Sequence, residues 1–302
     1  MTASILYWVL AVVLAPLLLG VINRTKAFFG GRKGQPLLQA YYDLFKLMRK
    51  GAVYSRTATW IFRAGPLIGL AVLLAVMATV PAGGLRATFA FQGDFVFLAY
   101  SLGLMRFFTV LAALDTGSAF EGMGAAREMQ FALLAEPVLF SGLAVLAAGT
   151  GQFNLSGIYG RLWSEGTLPA SASVLLVAMA LLMVLLAENA RIPVDDPTTH
   201  LELTMIHELM VLDHGGVDLA FIQYGAALKL WLFAALLAGL AIPLRTGRPM
   251  LDLAVHIGGV FIAAVIVGII ESTMARLRLL RVPQMLVVAL ALTLAAFFWI
   301  LR

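Results

Sequence analysis

The chain has 302 residues, 62% hydrophobic and 12% charged, with a mean hydropathy of +0.96. Soluble domains are roughly 45–50% apolar and about 25% charged, so the composition is that of an all-α polytopic membrane protein. Cysteine is absent, which excludes thiolate-held iron–sulfur clusters and a cysteine-ligated nickel–iron centre from this chain and leaves any electron transfer to a partner. The formal charge of +5 and the pI near 9.7 read as basic loops that orient the chain in a bilayer, not as a nucleic-acid surface.

Eight apolar spans follow in order, at about 4–22, 60–81, 95–114, 128–148, 171–187, 219–242, 252–271 and 283–301. Each is near the roughly 20 residues that a helix needs to cross the hydrocarbon core. Together they predict a single transmembrane domain over 1–302, with no internal repeat and no low-complexity segment. The first span has no Lys or Arg before it and no small-residue cleavage site after it, so it is expected to be retained. Fourteen of the twenty-one basic residues, nine of them in the loop 23–63, fall on one side of this arrangement. By the positive-inside rule that side is cytoplasmic and both termini are outside.

Pro36–Lys50 alternates an apolar set (Leu37, Leu38, Tyr41, Leu44, Phe45, Leu47, Met48) with a polar set (Gln35, Gln39, Asp43, Lys46, Arg49, Lys50) at helical spacing. This predicts an amphipathic helix in the interface. It serves either as an anchor to anionic membrane lipid or as a lid beside a cavity.

The stretch Ala187–Asp218 holds seven of the sixteen acids and three of the four histidines. Asp196-Pro197 is a helix-start signal, and Thr199 with Glu202 fits a capping box. A helix is therefore expected from about 197 to 213, within a cytoplasmic acidic loop of about 188–218. Seven-residue spacing would place His200, His207 and His214 on one face with Thr204, and Glu208 at its edge. Three uses stay open: a solvated face against a partner, a proton relay, or a metal site. The metal option is weak, because His207-Glu208 lacks the second histidine of H-E-x-x-H and residues seven apart on a helix are about 10 Å apart.

Charge inside the spans is costly, at ~2.5–3.5 kcal/mol near the bilayer centre, so it normally faces a cavity or a partner. Arg106, Glu136 and Lys229 lie there. An Arg106–Glu136 ion pair and a snorkelling Lys229 are the plain structural readings; a role in ion transfer, with Glu136 or Glu188, is the functional one. Asp115, Glu121, Arg127, Glu128, Glu188 and Glu271 mark the cytoplasmic ends of spans.

Four ordered segments carry a family resemblance. Gly31–Leu47 (G-R-K-G-Q-P-L-L-Q-A-Y-Y-D-L-F-K-L) resembles the first cytoplasmic loop of respiratory complex I subunit 1, the membrane subunit at the arm junction. Asp115–Pro137 resembles the hydrogenase branch of that family. Ala187–Asp195 (A-E-N-A-R-I-P-V-D) is similar to the signature A-E-x-x-R-x-P-F-D, and Glu271–Leu279 to the last cytoplasmic loop. In the complex I subunit an E-x-E-x-E run follows the signature beside the quinone chamber. Here Thr198, His200 and Glu202 stand at those positions, with Val194 for the Phe and Asp196 for the Leu. P-x-D-x-P-x-T-H-L-E-L-T-M-I-H-E resembles instead the membrane subunit of group 4 energy-converting nickel–iron hydrogenases of the hydrogenase-4 and formate-hydrogenlyase type.

The resemblance implies a membrane anchor and coupling subunit. It has no catalytic centre or cofactor of its own and links redox chemistry in its partners to proton or sodium translocation. The implied partners are a nickel–iron (NiFe) hydrogenase large subunit, a small iron–sulfur subunit, a ferredoxin-like iron–sulfur subunit and antiporter-like membrane subunits; the NiFe centre and iron–sulfur clusters belong to them. Carried over by position, Glu136, Glu188, Arg191 and Asp195 are the coupling candidates, joined by His200, Glu202, Glu208, Arg106 and Lys229. Asp43, Lys46, Asp115, Glu121, Arg127, Glu128, Arg276 and Arg278 are the candidates for docking the peripheral arm. The alternatives are the quinone-site subunit of an NADH:quinone oxidoreductase and a stand-alone secondary ion transporter. The setting implied is a prokaryotic plasma membrane.

Overall fold

The computed structural model describes residues 2–162, 172–195, 205–242 and 246–301. Ten helices follow among them: α1 (Thr2–Phe29), α2 (Gln39–Met48), α3 (Trp60–Met77), α4 (Asp94–Asp115), α5 (Ala119–Thr150), α6 (Leu155–Arg161), α7 (Ala172–Glu188), α8 (Gly216–Ala241), α9 (Pro249–Thr273) and α10 (Arg281–Leu301). Seven are long and apolar enough to cross a membrane. The eighth apolar helix, α7, has 17 residues, and 163–171 before it lie outside the described part. The polytopic all-α fold expected from the sequence is therefore present. The short α6 was not expected; Asn154 caps it by accepting the Gly157 N–H at 2.5 Å.

α8 is central. Its middle is buried on every side, from Ala227 through Ala238, because it packs against α1, α3, α7 and α9. α10 closes the far side against α5 and α7. A helix apolar all round and covered all round is what a bundle core requires.

α1 is interrupted by Pro16, which has no N–H to give the carbonyl of Val12 one turn back. Tyr224 of α8 fills that role, its hydroxyl donating to the Val12 carbonyl at 2.8 Å, while Tyr41 of α2 donates to the Val13 carbonyl at 2.6 Å. The proline break thus anchors the interfacial helix. Gly20, one turn further along α1, is where the backbone leading into α2 crosses it: a Cβ there would overlap the Leu37 carbonyl. α2 spans 39–48 within the expected 36–50 and buries none of its residues, with Tyr42, Phe45 and Met48 all exposed. That is the behaviour of a helix lying along a surface.

The turn after α7 is built by the signature sequence. The Arg191 N–H reaches the Leu186 carbonyl at 2.9 Å and the Ala190 N–H reaches Ala187 at 3.3 Å, a Schellman closure with Ala190 in the left-handed region at φ 48°. The turn docks on the segment after α9, where the Leu277 N–H donates to the Pro193 carbonyl at 2.8 Å.

The helix expected over 197–213 is not found where it can be seen. Residues 196–204, with His200, Glu202 and Thr204, lie outside the described part; over 205–214 there is only a 3-10 turn at Leu209–Val211. The reason is that side chains from elsewhere hold this backbone. Asp195 accepts the N–H groups of Ile206 and His207 at 3.1 and 3.4 Å, Arg127 donates to the Met205 carbonyl at 2.8 Å, and Glu121 accepts the Asp213 N–H at 3.0 Å. Groups that an α-helix would pair internally are paired outward. Gly124 of α5 lets the segment sit against the helix, since a Cβ there would meet Leu209 Cβ at 2.8 Å and the Ile206 carbonyl at 3.0 Å.

Candidate functional site

Four helices and the 205–214 segment bring charge together around one guanidinium. Arg106 of α4 directs each of its three nitrogens to a different carboxylate. Nε donates to Glu128 Oε1 at 3.1 Å, Nη1 to Glu136, and Nη2 to Glu188. Only arginine offers a rigid fork with donors in these directions. The cluster extends both ways. Lys229 Nζ of α8 lies 2.7 Å from the other Glu188 oxygen, and His207 Nδ1 lies 3.3 Å from the other Glu128 oxygen. A continuous path of polar contacts results: His207, Glu128, Arg106, Glu188, Lys229, with Glu136 branching from Arg106.

Arg106, Glu188 and Lys229 are each 5% exposed and Glu128 8%, so these charges are taken out of water. Such groups persist in a low-dielectric interior only when mutually paired. Two members reach outward. The His207 side chain is 35% exposed on the 205–214 side, and the Glu136 side chain is 45% exposed on the outer surface of the α4–α5 pair. Tyr100 and Phe107 of α4 and Leu133 of α5 are exposed as well.

Next to the cluster lies a cavity of about 650 Å³. Its walls come from α1, α2, α3, α4 and α8, and its polar lining includes Asp43, Glu188, Lys229, His207, Glu208 and His214. The remaining lining is largely apolar, including Leu19, Leu44, Pro66, Leu70 and Leu73.

His214 is placed differently from His207. Its ring stacks on Phe62 at 3.9 Å with an interplanar angle of 5°. Burial pushes its pKa below the ordinary histidine value, against the opposing pull of Asp218 and Asp213. A group held neutral in the fold contributes stability that is full above its unfolded pKa, about 6.5, and is lost as pH falls towards its folded pKa. We expect the thermal midpoint of the assembled protein to drop on the acid side of about pH 6.5 and His214→Phe to flatten that drop. An unchanged acid limb in the variant would show that another group is responsible.

The other expected residues fall into five groups. Arg191 Nη1 is 3.4 Å from Glu271, whose second oxygen holds Lys26 of α1 at 2.9 Å; Arg276 Nη2 is 2.7 Å from Asp195. These fasten the signature turn to α1 and α9. Asp115 accepts the Thr59 N–H at 2.6 Å at the start of α3, Glu121 is buried on the Asp213 N–H, and Arg127 is bonded to Met205. Glu128, expected among the docking residues, is a buried member of the cluster. Asp43, Lys46 and Arg278 are exposed. His200 and Glu202 lie outside the described residues. Sequence reasoning did not join His207 and Glu128 to Arg106. The one signal available was that Glu128 precedes Glu136 by eight residues, about 80° apart around a single helix. Among the described residues no group of three or more His, Asp or Glu side chains has a metal-holding arrangement.

The fold and the buried cluster define a polytopic all-helical membrane protein with a connected set of charges inside it. The family model for NADH dehydrogenase matches residues 1–301, and the chain belongs to that family, in its complex I subunit 1-like group. It is 30% identical over 298 residues to hydrogenase-4 component C of Escherichia coli (strain K12), covering 97% of this chain and 92% of that protein. It is 29% identical over 276 residues to formate hydrogenlyase subunit 4 of the same strain, covering 89% of each. Its fold matches a chain of the membrane-bound sulfane sulfur reductase, an archaeal respiratory membrane complex, with a TM-score of 0.83 at 19% identity over 99% of this chain and 98% of that one.

Proposed function

We propose that this chain is the membrane anchor and coupling subunit of a complex I-related energy-converting hydrogenase. Redox chemistry takes place in peripheral NiFe and iron–sulfur partners on the side of His207, which is cytoplasmic in the orientation given by the basic loops. A change of charge there alters the protonation of the Glu128–Arg106–Glu188 set, and antiporter-like neighbours move protons or sodium ions in response. The observation that carries this reading is the unbroken chain of polar contacts from His207 at one face to Glu136 on the outer surface of α4–α5. A carboxylate 45% exposed within a spanning helix is costly against lipid and acceptable against a polar partner helix. The exposed Asp43, Lys46 and Arg278 are the proposed contacts for the peripheral arm.

The energies are in scale: one pKa unit is about 1.4 kcal/mol, and one charge moved across 100 mV is about 2.3 kcal/mol. Glu188→Gln and Glu136→Gln in the assembled complex are expected to leave hydrogen turnover running in the presence of a protonophore while abolishing its coupling to ion translocation in vesicles. Coupling as in wild type in both variants would refute the proposal. Ion flux from this chain reconstituted alone would favour a stand-alone transporter.

The cavity favours a second reading, as a quinone-site subunit. Its volume and apolar walls suit a lipophilic ligand, with Glu188 and Lys229 in its polar lining. Quinone-dependent turnover, together with photolabelling of the cavity wall by a quinone analogue, would establish it; neither is expected if the first reading is right.

A further inference from the structure

Away from the ion cluster, the junction of α1, α8 and α9 buries three polar atoms that have no hydrogen-bond partner among the described residues: Tyr7 Oη, Trp231 Nε1 and His256 Nε2. The three residues are 2%, 0% and 3% exposed. The Tyr7 and His256 rings meet edge to face at 5.5 Å and 72°, and the Trp231 indole lies beside the Tyr7 hydroxyl, close enough to act on it as a donor but outside good hydrogen-bond geometry.

An orphaned buried polar group is destabilising, because it gives up its bonds to water and gains none in return. Three at one helix junction call for a reason, and ordered water or function are the usual ones. Their chemistries are complementary: indole N–H only donates, phenol both donates and accepts, and imidazole Nε2 accepts when the ring proton is on Nδ1. Such a set supplies the polar partners that an internal water requires.

The position of the junction gives it a direction. Trp231 follows Lys229 by two residues on α8, a rise of about 3 Å and a turn of about 200°, so the junction lies near the depth of Lys229 on the other face of that helix. Asp252 lies one turn from His256 towards the start of α9. It is buried, and its Oδ1 accepts the N–H and hydroxyl of Thr246 at 2.7 and 2.8 Å. Thr246 is exposed. Polar groups therefore step from the depth of Lys229 to the face opposite His207.

We propose that Tyr7, Trp231 and His256 bind internal water and, with Asp252, form a proton-conducting leg from the depth of Lys229 to that opposite face. In a transfer, the water passes a proton to Nε2 as it takes one up on its other side, and the Nδ1 proton leaves to the Asp252 carboxylate; the imidazole ends neutral as the Nε2–H tautomer, and a return of the ring to the Nδ1–H tautomer completes the cycle.

The water site is tested by radiolytic hydroxyl-radical footprinting of the intact complex in nanodiscs, with water as the only probe. After correction for intrinsic reactivity, Tyr7, Trp231 and His256 should be oxidised several-fold faster than Phe233, which is 1% exposed; equal rates would overturn the site. The leg rests on the coupling function proposed above and is tested beside it. His256→Phe, and Tyr7→Phe as a variant that removes only a hydroxyl, should lower proton translocation per hydrogen several-fold, with protonophore-released turnover retained. If Glu188→Gln uncouples and neither of these does, the leg is wrong and the coupling function stands. If Glu188→Gln leaves coupling intact, the coupling function fails and the leg with it, while footprinting still decides the water site.

Discussion

Arg106→Leu is expected to destabilise the protein by about 3–5 kcal/mol, the range for breaking a buried ion pair from one side, and to abolish coupled ion translocation. Glu128 would keep His207 and Glu188 would keep Lys229, but Glu136 has no other ion-pair partner among the described residues. The three carboxylates would also lose the cation that joins them. Arg106→Lys makes the discriminating control: it preserves the charge but supplies one nitrogen where three are used. Its stability should fall between wild type and Arg106→Leu. The checks are the denaturation midpoint of the purified complex and proton uptake in vesicles. Wild-type values for Arg106→Leu would mean that the cluster is neither structural nor functional.

Gly20→Ala should have the second largest effect. The added methyl would overlap the Leu37 backbone carbonyl, and backbone cannot swing aside as a flexible side chain does. Overpacking of this kind typically costs about 1–3 kcal/mol. The strain would be relieved by lifting the approach to α2 and loosening the Tyr41 bond to the Val13 carbonyl. The cavity would then open on its α2 wall. Because the chain has no cysteine of its own, Ala40→Cys gives a clean reporter on that wall. Its alkylation should be faster in the Gly20→Ala background, and an unchanged rate would show that α2 is held by other contacts.

The elements most legible in the sequence were those set by local, one-dimensional physics. Apolar runs long enough for a bilayer became helices, and the 36–50 periodicity became α2. The segment after Asp195 was misread because the signals there were also local: an N-cap, a proline and a repeat of histidines. Its described part takes its shape from Asp195, Arg127 and Glu121, which lie up to 92 residues away in the chain. No periodicity reports such contacts. The same holds within the site. The cost of placing Arg106, Glu136 and Lys229 inside spans was readable residue by residue, and one pair, Arg106 with Glu136, could be guessed. That Lys229 would reach Glu188, or that Glu128 would leave the surface to meet His207, depends on how α4, α5, α7 and α8 pack.

The ion cluster has an odd count. By formal charge Glu128, Glu136 and Glu188 bring three negative charges and Arg106 and Lys229 two positive ones, −3 + 2 = −1, before His207 is counted. Arg106 touches all three carboxylates, so no member of the set can be perturbed alone. A charge brought near His207 would be felt through Glu128 and the guanidinium by Glu136 and Glu188, on two other faces of the bundle.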